Sequence, residues 1–100
     1  MKKKSLSYKT FVKGELKNPK LAAAYLNSVL EDGDDTLFLK ALKDVAEAMG
    51  GLSYLARKTN LNRANLYKIF SGEGNPEYQT LLNILKVLGL SFAVKYKQAA

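Results

Sequence analysis

The stretch Leu52-Ser-Tyr-Leu-Ala-Arg-Lys-Thr-Asn-Leu-Asn-Arg-Ala-Asn-Leu-Tyr-Lys-Ile-Phe70 decides how this chain reads. Counting Leu52 as position one, Leu55 and Ala56 stand fourth and fifth, and Ala56 is the small side chain that two closely crossing helices need. Asn60 stands ninth, where the backbone must turn through the left-handed region; Gly is usual there and Asn the next most tolerant. Leu61, Leu66 and Ile69 follow at positions that bury a second helix against the first, and Asn62 is placed to cap it. The spacing predicts a helix near Leu52–Thr59, a tight turn at Asn60-Leu61, and a helix near Arg63–Phe70. This is a helix-turn-helix pattern over about residues 52–70.

Subtracting the buried positions from the second helix leaves Asn62, Arg63, Ala64, Asn65, Tyr67 and Lys68. These include groups that bond phosphates and base edges, and no acid interrupts them. A merely solvated face would more often contain Glu. Arg63, at the tip, is the candidate for bidentate contact with guanine O6 and N7; its bland alternative is an ordinary surface Arg. Asn65 and Lys68 are placed to read a base or hold a phosphate. Asn62 has a sufficient structural reason as an N-cap besides any phosphate contact. Tyr67 either sets its hydroxyl on a phosphate or covers the core with its ring. Ser53, near the N-terminus of the preceding helix, is a candidate phosphate contact through the N–H end of that helix. Arg57 and Lys58 read as peripheral. The implied partner is double-stranded DNA.

The motifs also occur in a recognisable order. LARKT (55–59), LNRANLYK (61–68), GNP (74–76), TLL (80–82) and LGL (88–90) are preceded by NPKLAAAYLN (18–27) and DTLFLKALKDVA (35–46). Over about residues 8–96 this series resembles the addiction-module antidote family of Cro/cI-type helix-turn-helix proteins. The resemblance implies a lambda-repressor-like bundle of about five helices that represses its own operon as the antitoxin of a type II toxin-antitoxin module. It further implies a small ribonuclease toxin of the RelE/ParE-like class as partner. The sequence departs from the family at Asn60, where Gly is preferred, and at Ala64, where a larger polar residue is common; the second weakens one candidate base contact.

Outward from the motif, Asn18-Pro19 predicts a helix start, with Ala22, Tyr25, Leu26, Val29 and Leu30 at helical spacing as far as Asp32-Gly33. Asp34 or Asp35 caps a second helix whose apolar face runs from Leu37 to Met49, and Gly50-Gly51 breaks it. Ser71–Pro76 reads as a loop, and a last helix near Gln79–Leu88 ends at Gly89. Residues 1–17 read as a mobile or loosely docked basic arm with apolar anchors at Leu6, Tyr8, Phe11, Val12 and Leu16, of which Tyr8, Val12 and Leu16 would share a face if it became helical. That arm has two readings: nonspecific attraction to DNA, or ordering on a toxin surface. Residues 90–100 change period: Leu90, Phe92, Val94 and Tyr96 alternate with Ser91, Ala93, Lys95 and Lys97. That predicts a half-buried strand, and with no second strand candidate it is expected to pair antiparallel with its own copy in a homodimer, the alternative being a strand of a toxin-like or other partner. The expected fold is therefore all-α, five short helices over residues 18–89, plus this C-terminal dimerisation strand. Two recognition helices in such a dimer would read a palindromic operator.

Composition narrows the function. The chain has 100 residues, no Cys, His or Trp, and a formal charge of +7. Residues 1–20 hold seven Lys against one Glu, whereas residues 21–50 hold two Lys against six acids. Thiol and imidazole catalysis and the usual zinc sites are excluded, so a binder without cofactors is expected rather than an enzyme. The acidic pairs Glu31-Asp32 and Asp34-Asp35 read as helix termini rather than a metal site. Gly72–Asn75 lacks the preceding strand and Lys-Ser/Thr of a nucleotide-binding loop. No apolar run approaches the roughly 20 residues of a spanning helix, and no apolar stretch follows Lys2–Lys4 as in a signal peptide. A cytoplasmic location is expected. Two alternatives stay open: a prophage-type repressor without a toxin, and a protein-binding adaptor that does not read DNA.

Overall fold

The computed structural model describes residues 14–98, and all regular structure among them is helical. Five helices follow in order: α1 (Pro19–Asp32), α2 (Asp35–Ala48), α3 (Gly51–Thr59), α4 (Arg63–Ser71) and α5 (Tyr78–Val87). Each of the first two begins where a side chain can satisfy an otherwise orphaned backbone N–H. Asn18 Oδ1 accepts from the Lys20 N–H at 2.9 Å with Pro19 at the first helical position, and Asp34 Oδ1 accepts from the Leu37 N–H at 3.1 Å. Gly33, in the left-handed conformation, ends α1 as the sequence predicts.

Helix α2 is the centre of the bundle. It buries Phe38, Leu39, Ala41, Leu42, Val45 and Ala46 and packs against α1, α3 and α4, while α5 packs on α3. The Tyr25 hydroxyl donates to Asp44 Oδ2 at 2.9 Å, tying α1 to α2. No polar or charged side chain is buried among the described residues, so apolar burial and backbone hydrogen bonds hold this core. Leu16, which falls in the basic arm on the sequence reading, is buried in the core, so the chain is docked from at least that residue. Tyr8 and Val12 lie outside the described residues.

The turn between α3 and α4 matches its prediction residue by residue. Asn60 takes φ +66°, the only positive φ of a non-glycine among the described residues, and its N–H donates to Ala56 O at 2.9 Å. The Thr59 hydroxyl donates to Leu55 O at 2.7 Å and accepts from the Leu61 N–H at 3.3 Å, pinning both sides of the turn. Left-handed backbone costs most L-residues about 1–2 kcal/mol, and Asn less because its amide bonds locally. Asn60→Ala is accordingly expected to lower stability by about 1 kcal/mol in urea denaturation. Asn60→Gly is expected to leave it nearly unchanged.

At the far end of α4, Gly72 takes φ +82°, and a Cβ there would lie 2.6 Å from Thr36 Cγ2. Glycine at this position lets the end of α4 approach the start of α2. Phe70, adjacent to this approach, is 1% exposed and anchors α4 more deeply than Ile69, which the spacing had favoured and which is only half-buried.

The C-terminal segment differs from expectation. Helix α5 closes with Gly89 at φ +80°, its N–H donating to Lys86 O at 3.0 Å and the Leu90 N–H to Leu85 O at 2.8 Å. This pair of bonds is the Schellman arrangement, and it turns the chain back toward the body. Residues 90–98 form no strand; they run without regular structure. A strand exists only as part of a ladder, and among the described residues no second extended segment is available to pair. Leu90 packs against the core and the Phe92 ring lies 6.3 Å from Phe38 and 6.4 Å from Tyr78, stacked on the latter at 14°. Val94 and Tyr96 remain 100% and 85% exposed. Thus two of the four predicted strand residues are anchored within the chain and two project into solvent. Among the described residues no helix is long and apolar enough to cross a membrane.

Candidate nucleic-acid interface

The outward face of α4 follows from how its inner face is held. Leu66 and Phe70 are buried, and Leu61 and Ile69 pack half-buried beside them. Asn62, Arg63, Ala64, Asn65, Tyr67 and Lys68 are left exposed together, as the subtraction of buried positions predicts. Asn62 caps the helix: its Oδ1 accepts from the Asn65 N–H at 2.7 Å. That bond occupies one lone pair of the Asn62 carbonyl, and the residue stays exposed. Asn65 engages in the cap through its backbone, which keeps its side-chain amide exposed.

Arg63, Tyr67 and a residue the sequence reading did not single out form one cluster. The Arg63 guanidinium carbon lies 5.9 Å from the Tyr67 ring centroid, and its Nη2 lies 3.4 Å from the Tyr67 hydroxyl. From α2, the Lys43 ammonium stands 5.5 Å from the same ring. Two cations therefore flank one aromatic ring, each within reach of its π face. Tyr67 orients Arg63 through the i, i+4 relation and carries its own hydroxyl to the edge of the surface. Lys43 was hidden by its setting: it lies in the acidic third of the chain, and only the packing of α2 against α4 brings it here. A basic residue on α2 spaced to face the outer edge of the second helix was the available signal.

Ser53 is exposed on α3 as its third residue, among the first-turn N–H groups that a helix leaves unpaired, and Gly50 supplies no side-chain cap to them. It stands on a different helix from the α4 cluster. Arg57 and Lys58 sit together over the Tyr54 ring at 6.0 and 5.8 Å, a second cationic-aromatic group on α3. Lys68 is exposed in the last turn of α4. Neither α3 nor α4 carries an acidic side chain; their charges are Arg57, Lys58, Arg63 and Lys68, and Lys43 of α2 stands beside the α4 cluster. The four expected dimerisation residues fall elsewhere, with Leu90 and Phe92 anchored on α2 and α5 and Val94 and Tyr96 beyond them.

Comparison with known proteins gives a family. A family model described as "Probable addiction module antidote protein" matches residues 5–96. A protein of Haemophilus influenzae (strain ATCC 51907 / DSM 11121 / KW20 / Rd), described as an uncharacterized protein, is 40% identical over 76 residues, covering 76% of this chain and 77% of its own. No solved structure matches.

Proposed function

Since this chain belongs to the family of probable addiction module antidote proteins, we propose that it is the antitoxin of a type II toxin-antitoxin module. In this reading it neutralises a small RelE/ParE-like toxin by protein contact and represses its own operon. The helices α3 and α4 act as a helix-turn-helix, with α4 as the helix that enters the major groove. The observation that carries DNA reading is the acid-free outward face of α4, where Arg63, Asn65, Tyr67 and Lys68 stand exposed with Lys43 beside them. Arg63 at the helix start reads guanine, Asn65 reads a neighbouring base edge, and Lys43, Lys68 and the Tyr67 hydroxyl hold phosphates. Ser53 and the first-turn amides of α3 hold a further phosphate. Asn62 fixes the start of α4.

A homodimer places two such helices about one helical turn apart on a palindromic operator, which occludes the promoter. Its contact is the segment from Leu90 to Tyr96, pairing antiparallel with the same segment of the second copy, which supplies the ladder partner that a single chain lacks. The protein catalyses no reaction, needs no cofactor, and works in the cytoplasm.

The toxin half of the proposal has its own test. Expressed alone, the product of the gene adjoining this one is expected to arrest growth. Expressed together with this chain it is expected to be harmless and to co-purify with it at a fixed stoichiometry. A neighbour that is harmless alone, or that never forms a complex with this chain, would leave a plain repressor.

A further inference from the structure

An apolar trough opens between α1, the start of α2, the end of α5 and the C-terminal segment. Leu26, Leu30, Phe38, Leu85 and Phe92 line it around a space of about 60 Å³, room for several water molecules. Its lips are exposed apolar surface: Leu30 is 44% and Phe92 36% accessible. No residue of α3 or α4 lines it, so occupying the trough leaves the proposed DNA face open.

Three acids neighbour the lining residues along the chain. Glu31 directly follows Leu30, and Asp34 and Asp35 precede Phe38 by one helical turn; all three are exposed. The tail that leaves the body after Phe92 carries the complementary pattern. Val94 and Tyr96 are apolar and almost wholly in solvent, and Lys95 and Lys97 alternate with them. The Lys95 ammonium already stands 3.9 Å from Glu31 Oε2, with both side chains mostly exposed. An ion pair so solvated adds little stability within one chain. It does bring a tail charge and one of these acids into register while Val94 and Tyr96 find no apolar surface to cover.

We propose that this trough is the docking site for residues Val94–Lys97 of a second copy of the chain. Val94 and Tyr96 of one protomer cover the Leu30 and Phe92 lips of the other, and Lys95 and Lys97 face Glu31 and Asp35 across the interface. The relation is reciprocal: the same surface both offers a tail and receives one, so the contact closes as a two-fold dimer and does not propagate. This rests on the dimeric reading above and adds the surface on which the tail lands, which pairing of two tails alone does not involve.

Two charge-reversed full-length chains test it. The rim variant carries Glu31→Lys and Asp35→Lys, sparing Asp34 because it caps α2. The tail variant carries Lys95→Glu and Lys97→Glu. All four positions are exposed, and circular dichroism checks that both variants remain helical. By sedimentation at low salt, each variant alone is expected to dimerise at least about tenfold more weakly than wild type, because like charges then meet at both contacts. An equimolar mixture is expected to recover dimers of near wild-type affinity, since each tail then meets a rim of opposite sign. Pairing of Lys95 with Glu31 only within a chain predicts no recovery on mixing, and that result overturns the proposal. A rim variant that dimerises like wild type overturns it too, while leaving a dimer built on tail pairing alone. A wild-type chain that stays monomeric overturns both readings.

Discussion

Arg63→Ala is expected to abolish specific binding in a gel shift against the DNA upstream of this protein's own gene. A bidentate Arg–guanine contact is worth about 1–3 kcal/mol of discrimination. A symmetric dimer makes it twice, so the loss is roughly 2–6 kcal/mol, or 30-fold and upward in affinity. The side chain is exposed and its hydrogen-bond and ring partner is Tyr67, so folding stability is expected to change by no more than about 0.5 kcal/mol. Arg63→Lys is not expected to rescue, because an ammonium lacks the planar fork that meets O6 and N7 together. Lys43→Ala and Lys68→Ala are expected to weaken specific and nonspecific DNA alike and to flatten the salt dependence, as loss of a phosphate contact does. If Arg63→Ala shifts operator and random DNA as wild type does, α4 does not read bases and its face is scaffold for another partner.

Phe70→Ala is expected to cost the most stability of any single change in α4. Phe70 is 1% exposed and packs in the one core that α2 organises. Truncating a buried Phe removes about 3–5 kcal/mol through lost transfer energy and the cavity left behind. Domains of this size are held by about 5–15 kcal/mol, so the variant sits near the edge of folding. The urea midpoint is expected to fall sharply with little change in slope. Phe92→Ala, at a ring 36% exposed, is expected to cost the monomer much less. A Phe70→Ala chain as stable as wild type would mean that α4 is held by its caps and turn rather than by the core.

The helix boundaries were legible because local chemistry sets them. Asn18, Asp34 and Asn62 accept backbone N–H groups within their own next turn, and Asn60 and Gly89 adopt left-handed backbone where the sequence asks for it. Each of these is a relation between residues at most a few positions apart, and side-chain type and spacing suffice to see it. The outward residues of α4 were legible for the same reason: helical periodicity assigns faces without knowing what covers them. Periodicity was less exact about depth. It favoured Ile69 as an anchor although Phe70 is buried more deeply, and it named Leu16 an anchor of a loosely docked arm without giving its depth in the core. Depth depends on which helix arrives from elsewhere in the chain.

By itself, then, the sequence determined five helices with a short turn at Asn60 and an acid-free exposed face on the helix after it, and it wrongly added a C-terminal strand. Only the tertiary structure decided that Lys43, from an acidic segment, joins Tyr67 and Arg63. The same holds for the C-terminal alternation, which divides into Leu90 and Phe92 anchored on the body and Val94 and Tyr96 left outside. The reason is one of range. Caps, turns and helix faces are set by energies between near neighbours, while a side chain's company across the bundle is set by how helices dozens of residues apart pack. An alternating segment states only that one of its sides wants to be covered, and the shape of the body determines how far a single chain can cover it.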